Sequence, residues 1–425
     1  MSDTSSRRRG PLVGLLAGHV VSLTGNMLTL IALPLYVLAE TGSAAATGVA
    51  GFFATLPVVI GGPFGGVLVD RVGYRRASVV ADVVSGVTIA TVPLLDATVG
   101  LPFWALLALV FASGLLDTPG QIARSALLPD VAATAGVPLE RAVGLFEAAE
   151  RTARLVGAPL AGFLVALLGP LTVLAVDAVT FAVSAVIVAR MVPRPAGSMV
   201  RSSVEYDSPR TADEAPRGYW RELGEGLRFT ARDPLLRAVV LLVLVTNLFD
   251  AAKVSVLLPV YAQRELGGAV AFGLLVGTMG GGALIGSLTF GAIGHRLPRR
   301  GTFVVAFALA GGPPFLALAA GLPLAALLPI TALAGFSAGA INPIIGTVKL
   351  ERVPAGMRAR VYGLVNAGAW AAMPLGALAA GFAVEHVGLT ATLLALGCAY
   401  VLVTLTPLLG GPWREMDRRL THVVR

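Results

Sequence analysis

The sequence predicts an all-α integral membrane protein whose twelve transmembrane helices form two six-helix, pseudo-symmetric bundles. Three observations carry this. Of 425 residues, 56% are hydrophobic and 13% charged, with a mean hydropathy of +0.82. A soluble chain carries roughly 25% charged residues, so this one lacks the polar surface to face water. The apolar residues fall in runs near the ~20 that cross a bilayer as a helix, and none alternates as a barrel strand would. Finally, six such runs, a polar stretch and six more repeat one another. A soluble enzyme, a nucleic-acid binder and a disordered chain are thereby excluded.

The spans follow in order, each bounded by charges or by Gly and Pro. Residues 11–38 begin after Arg7, Arg8 and Arg9. This run exceeds the ~7–15 apolar residues of a signal peptide, so a retained first helix is expected. Residues 46–69 run into Asp70 and Arg71, and 77–96 start after Arg75 and Arg76. Residues 102–122 open at Pro102 and stop before Arg124, while 142–168 and 170–191 meet at Gly169 and Pro170. In the second set, 237–262 ends before Arg264, 269–291 before His295, and 302–320 before Gly321. The last three are 323–347, 361–384 and 389–410, separated by Lys349 to Arg360 and by Glu385 to Gly388. The organisation expected is a tail (1–10), a bundle (11–191), a linker (192–236), a second bundle (237–410) and a tail (411–425).

An even number of spans puts both termini on one side, and the positive-inside rule names it. Of 32 Lys and Arg, 30 fall on the terminal side; only Arg264 lies in an opposite loop, and Lys253 lies within a span. Both termini are therefore expected in the cytoplasm of a cell-membrane protein, and this asymmetry explains the net charge of +8 without nucleic acid. Within the linker, residues 193–217 read as a flexible segment rich in Pro, Ser and charge. Residues 218–232 place Trp220, Leu223 and Leu227 on one face of a short interfacial helix.

Other chemistry is thin. The single cysteine, Cys398, permits no disulfide within the chain, and four scattered histidines show no metal spacing. Neither Lys253 nor Lys349 follows a glycine, so there is no phosphate loop for ATP. No cofactor, metal or catalytic centre is expected, because a membrane enzyme would need clustered histidines or carboxylates at one depth. A monomer in the lipid bilayer is expected.

The halves align. At an offset of 225, LPLY (33–36) meets LPVY (258–261), Gly48 meets Gly273, Gly66 meets Gly291, Arg71 meets Arg296 and Arg75 meets Arg300. At 219, Arg141 meets Arg360, Gly157 meets Gly376, Gly162 meets Gly381 and Gly169 meets Gly388. A parallel repeat of this kind, about an axis along the membrane normal, is a transporter architecture.

The stretch GGVLVDRVGYRR (65–76) resembles the loop 2–3 signature of the major facilitator superfamily through Gly66, Asp70, Arg71, Gly73, Arg75 and Arg76. LTGNMLTLIALPLYVL (23–38), RSALLPD (124–130), WRELGEGLRFTARDPLLR (220–237) and VPAGMRARVYGL (353–364) look like its macrolide-efflux and siderophore-export branch. GAPLAG (157–162) is similar to the family's antiporter motif, with Ala158 interrupting it. The resemblance implies a major facilitator fold and a loop that latches the halves on the cytoplasmic side. Asp70 would there accept from a helix N-terminus. The second-half copy has His295 and Pro298 in place of Asp70 and Gly73, so the first-half latch is expected to be stronger.

Ionisable groups inside a membrane default to function. His19, Ser22, Asn26 and Thr29 form one stripe on the first span, and Asn247, Asp250 and Lys253 cluster on the seventh. The resemblance implies that these spans line the substrate cavity. Asp250 and Lys253, three residues apart, are placed to neutralise each other. Because the related branch often has an acid at the position of Asn26, Asp250 becomes the leading proton-coupling candidate, with Asp117 and Glu150 next. Asp117, Gln121 and Arg124 make a further stripe. Glu147–Arg151 and Glu150–Arg154 are i,i+4 pairs, read first as a cytoplasmic charge lattice. Asp82 and Asp177 are read as packing carboxylates. The function expected is proton-coupled export of amphipathic small molecules by alternating access. An importer or uniporter of a metabolite, and a non-transporting receptor or scaffold, are the alternatives.

Overall fold

The computed structural model describes residues 3–193, 219–354 and 357–417; the side chains of 3–8, 62–68, 70, 219–223, 226 and 358–360 lie outside the description. Twelve helical segments are long and apolar enough to cross a membrane, and no strand occurs among the described residues. In the first half these are α1 (Asp3–Thr41), α2 (Ala44–Val72), α3 (Tyr74–Thr98), α4 (Phe103–Ala135), α5 (Leu139–Leu168) and α6 (Pro170–Met191). Several outrun their apolar cores. α4 continues 13 residues past 122, because the apolar run measures the bilayer and not the helix, which keeps its ladder into the polar zone.

The expected linker falls partly outside the described residues, at 194–218. Its helical part is present as α7 (Tyr219–Arg232), packed on α8 and α14. α8 (Pro234–Ala252) is capped by Asp233, whose Oδ1 accepts from the amides of Leu235 and Leu236. The seventh span then passes through a π turn, Lys253–Leu257, into α9 (Leu258–Glu265). Pro259, just beyond the turn, has no N–H to give the preceding carbonyls, which accounts for the wider turn. α10 (Ala269–Ile293) and α11 (Arg299–Ala319) are continuous. The tenth span divides into α12 (Leu324–Ala338) and α13 (Ile341–Arg352), and the eleventh into α14 (Arg358–Trp370) and α15 (Met373–Val387). Pro343 and Pro374 stand in the first turns after those breaks, where a missing N–H costs nothing. α16 (Leu389–Thr404) ends the bundle.

In the first half α1 packs between α5 and α6, and α3 between α4 and α6. In the second, α11 lies between α12 and α16, and α15 lies on α8. The halves meet through α2 on α15 and through α5 on α10. Under the sequence repeat these two crossings are copies of one another.

The repeat also explains two arginines. Arg75 donates to the carbonyls of Ala189 and Val192, the last ones of α6. Its repeat partner Arg300 donates to those of Pro407 (2.7 Å) and Leu408 (2.8 Å), just past α16. Each thus satisfies carbonyls that a helix end leaves unpaired. The start of the expected tail folds back on the bundle: 3₁₀ turns over Gly411–Met416 bury Trp413 and Met416 beside Phe303. Arg352 bridges Asp233 and Glu415 there.

Candidate functional site

The polar stripe of α1 is divided among three environments. His19 is 3% exposed and stacks on Phe146 of α5, with ring centroids 3.9 Å apart. Ser22 is fully buried and accepts from Arg124 Nη2 at 3.2 Å. Neither lines the cavity described below, which corrects their expected place: the helix turns these two toward α4 and α5. Asn26, one turn on, donates to Asp117 Oδ2 at 2.9 Å, and Thr29 donates to Asp177 Oδ2 at 2.5 Å.

Behind that stripe lies a buried charge network. The Arg124 and Asp82 side chains are both 0% exposed and 2.8 Å apart. Asp82 also accepts from Ser184 Oγ at 2.7 Å. Asp117 Oδ1 is 3.7 Å from Arg124 Nη2, and Gln121 donates to Asp117 Oδ2 at 2.7 Å. The stripe of Asp117, Gln121 and Arg124 thus belongs to a charge network between helices, and its arginine is wholly buried. The partner that pulls Arg124 inward, Asp82, sits on α3. An arginine with two carboxylates leaves the trio with one net negative charge. Repeat partners show how local this is, since Phe307 stands at the position corresponding to Asp82.

Between the halves lies a cavity of about 650 Å³, within the usual range for small-molecule sites. Asp117, Gln121 and Asn26 form one polar wall, Asp177 and Thr29 a second, and Arg154 of α5 also lines it. The second half contributes Asn247, Ser255, Trp370 and Met373. Leu30, Leu33, Ile89, Val110 and Phe181 are among its apolar lining. Asp177, expected as a packing group, is one of the two carboxylates lining this space. Gly25 of α1 leaves the room that Asp177 and Thr180 occupy. Glu150 does pair with Arg154 at 2.8 Å, across one turn, whereas Glu147–Arg151 is not among the ion pairs of the described residues.

Asp250 and Lys253 do not line this cavity. Lys253 Nζ lies 2.7 Å from Asp250 Oδ1 and 5.3 Å over the Phe315 ring, and Tyr400 donates to Asp250 Oδ2 at 3.4 Å. The pair is internal to the second half. Asn247, one turn earlier on α8, does line the cavity and donates to Ala369 O at 2.9 Å.

The end of the bundle away from the termini is bridged. A methyl on Gly48 would stand 2.8 Å from Gly381 Cα, and one on Gly273 would stand 3.0 Å from Gly162 Cα. Only glycine allows these backbones so close. Gly48 and Gly273 correspond in the repeat, as do Gly162 and Gly381, so one crossing is built twice. Beside the first crossing, Glu385 Oε2 accepts from Ser43 Oγ (3.2 Å) and from the amides of Ala44 (3.1 Å) and Ala45 (3.4 Å). A carboxylate of the second half thus caps the N-terminus of α2. The sequence showed Glu385 only as an acid near a loop; no local signal links it to Ser43, 342 residues away.

For the loop 65–76, Gly73 joins α2 to α3 with φ +88°, where glycine is needed. Arg71 and Arg76 are exposed, and Arg75 is engaged with α6. Gly66 and the Asp70 carboxylate lie outside the described side chains.

A family model described as Major Facilitator Superfamily matches residues 15–270 and 240–419. The multidrug efflux pump Tap of Mycolicibacterium fortuitum is 30% identical over 417 residues, covering 97% of this chain and 98% of that protein. Macrolide efflux protein A of Streptococcus pyogenes is 22% identical over 417 residues, covering 94% and 96%. Among solved structures, the nucleoside transporter NupG superposes with a TM-score of 0.73 at 14% identity, over 96% of this chain and 99% of that one. At that identity the last likeness concerns the fold.

Proposed function

The chain belongs to the major facilitator superfamily, and from that premise we propose that it exports amphipathic, drug-like small molecules from the cytoplasm by alternating access, with protons as the coupling ion. The observation that carries this is the cavity between the halves, where Asp117 and Asp177 face an apolar wall. Two carboxylates select for positive charge, and Phe181, Trp370 and Met373 offer apolar contact to the rest of such a molecule. The efflux relatives, by their printed names, support an outward direction. The arginine distribution supports cytoplasmic termini in a cell membrane.

The coupling follows from charge. Closing a cavity over an uncompensated carboxylate is costly. Asp117 shares Arg124 with Asp82, so one negative charge of the trio is left over. A proton on Asp117, or a cation beside it, removes that excess. Loaded with either, the halves can rock past the occluded arrangement; loaded with neither, they are held back. Substrate leaving and proton entering then exchange at one place. Asp117 takes the role expected of Asp250, whose charge is already matched by Lys253.

The test is transport of the cationic dye ethidium into everted vesicles, with and without an imposed pH gradient. Wild type should accumulate dye only with the gradient. Asp117→Asn should bind dye yet lose the gradient dependence. Unimpaired gradient-driven uptake by Asp117→Asn would remove Asp117 from coupling, and absence of any dye movement in wild type would count against the export reading.

A further inference from the structure

A second cavity, of about 550 Å³, lies on the outer face of the first half, between α3 and α6. All its lining residues are apolar. Its floor is small (Gly86, Ala90, Ala178, Ala182) and its rims are valines, with Val87 63% exposed. Both helices are membrane-spanning, so the groove opens to lipid.

The repeat supplies a control. Gly86 and Phe181 correspond to Gly311 and Tyr400, so the same helices cross in the same way in the second half. There, Ala90, Ala175 and Ala182 are replaced by Phe315, Leu394 and Val401. Phe315 is fully buried, its ring packed on Tyr400 and beneath Lys253 Nζ. The first half has its groove where these side chains are small.

The groove also has a charged end. Along α3, Val79, Val83, Gly86, Ala90 and Pro93 recur at helical spacing, and Arg76 precedes Val79 by three residues. On α6, Arg190 follows the lining residue Val186 by four. Both arginines are exposed and continue the ridges at the end that carries the termini. Arg75 stands beside them but is occupied with the α6 carbonyls. The corresponding residues of the second half are Gly301 and Leu409, so neither arginine has a counterpart there.

We propose that this groove is a binding site for one acyl chain of an anionic phospholipid, whose phosphate is held by Arg76 and Arg190. From Val79 to Pro93 the helix rises about 21 Å, enough for a chain reaching through one leaflet of a hydrocarbon core about 30 Å thick. The charge favours an anionic headgroup in the leaflet on the terminal side. The site is separate from the central cavity and stands whether or not the transport reading does.

The test is native mass spectrometry of the full chain equilibrated with equal amounts of dioleoyl phosphatidylglycerol and dioleoyl phosphatidylcholine. Wild type should retain one phosphatidylglycerol in preference, by roughly 25-fold if each arginine contributes a factor of about five. Arg76→Gln with Arg190→Gln should bring retention of the two lipids to parity. Ala90→Phe with Ala182→Val, which introduces the residues that the second half already packs, should abolish retention of both. Leu402→Phe, on the outer face of the second half, should change nothing. Equal retention of both lipids by wild type would overturn the headgroup assignment. Undiminished phosphatidylglycerol on a folded Ala90→Phe/Ala182→Val protein would overturn the groove.

Discussion

Glu385 holds the second half to the N-terminus of α2, and removing its charge should loosen the end of the bundle away from the termini. A helix N-terminus carries about half a unit of positive charge. At the 3.1 Å from Glu385 to the Ala44 amide, that gives about 0.7 kcal/mol in bulk water and about 2.7 at an effective dielectric of ~20. Glu385 is exposed, so the low end applies, and about 1 kcal/mol is expected for Glu385→Gln, which keeps an acceptor but loses the charge. That is a shift of about fivefold between closed and open forms of this end. Double electron–electron resonance reads it, with spin labels at Val99→Cys and Val387→Cys, both exposed at this end, in a Cys398→Ser background. The population at long distance should rise about fivefold in Glu385→Gln, and less in Ser43→Ala. High salt should shrink the difference, since the site is open to ions. A distance distribution unchanged by Glu385→Gln at low salt would refute the reasoning and leave the glycine crossings as the sole closure.

Two further outcomes are expected. In the Cys398→Ser background, a membrane-impermeant maleimide should label Val99→Cys in intact cells and label Leu409→Cys only after lysis; the reverse would invert the topology. Asp250→Asn should lower thermal stability in detergent by about 2 kcal/mol, less than the ~3–5 of a fully buried broken pair because Asp250 is partly exposed. Adding Lys253→Met should restore both stability and gradient-driven transport, and continued loss of transport in the stable double variant would return Asp250 to the coupling machinery.

How far the sequence could be read depended on the range of the interaction. The twelve spans were legible because lipid admits only backbone that satisfies its own hydrogen bonds, and a run of apolar residues records that. The breaks in the seventh, tenth and eleventh spans were not legible. Pro34, Pro119 and Pro159 sit inside unbroken helices, so a proline alone does not foretell a break. Helical spacing put Asp117, Gln121 and Arg124 on one stripe and paired Asp250 with Lys253, both contacts within two turns. It could not choose which residues of a stripe face water. His19 and Asn26 share a face of α1, yet α5 covers the first and the cavity reaches the second. Asp82 and Arg124 are 42 residues apart, and Glu385 lies 341 from Ala44. No periodicity connects such pairs.

The repeat separates what the fold needs from what the first half adds. Gly48 with Gly381, and Gly162 with Gly273, are copies, as are Arg75 and Arg300 with their helix-end carbonyls. These hold two bundles together and close their sixth helices, work that each half must do. The Asp82–Arg124–Asp117 network and Asp177 have no such copies. Phe307, Leu396 and Phe315 stand at the positions corresponding to Asp82, Asp177 and Ala90, and the second half packs well with them. A buried arginine–carboxylate pair is no more stabilising than good apolar packing, and the second half shows that apolar packing suffices at this place. The charges of the first half are therefore not explained by stability. Asp117 joins the buried network to the cavity wall, and under the proposed coupling a change of charge in the cavity would reach Arg124 and, through it, α3. The second half pairs its own Asp250 and Lys253 and supplies Asn247, Ser255, Trp370 and Met373 to the same cavity.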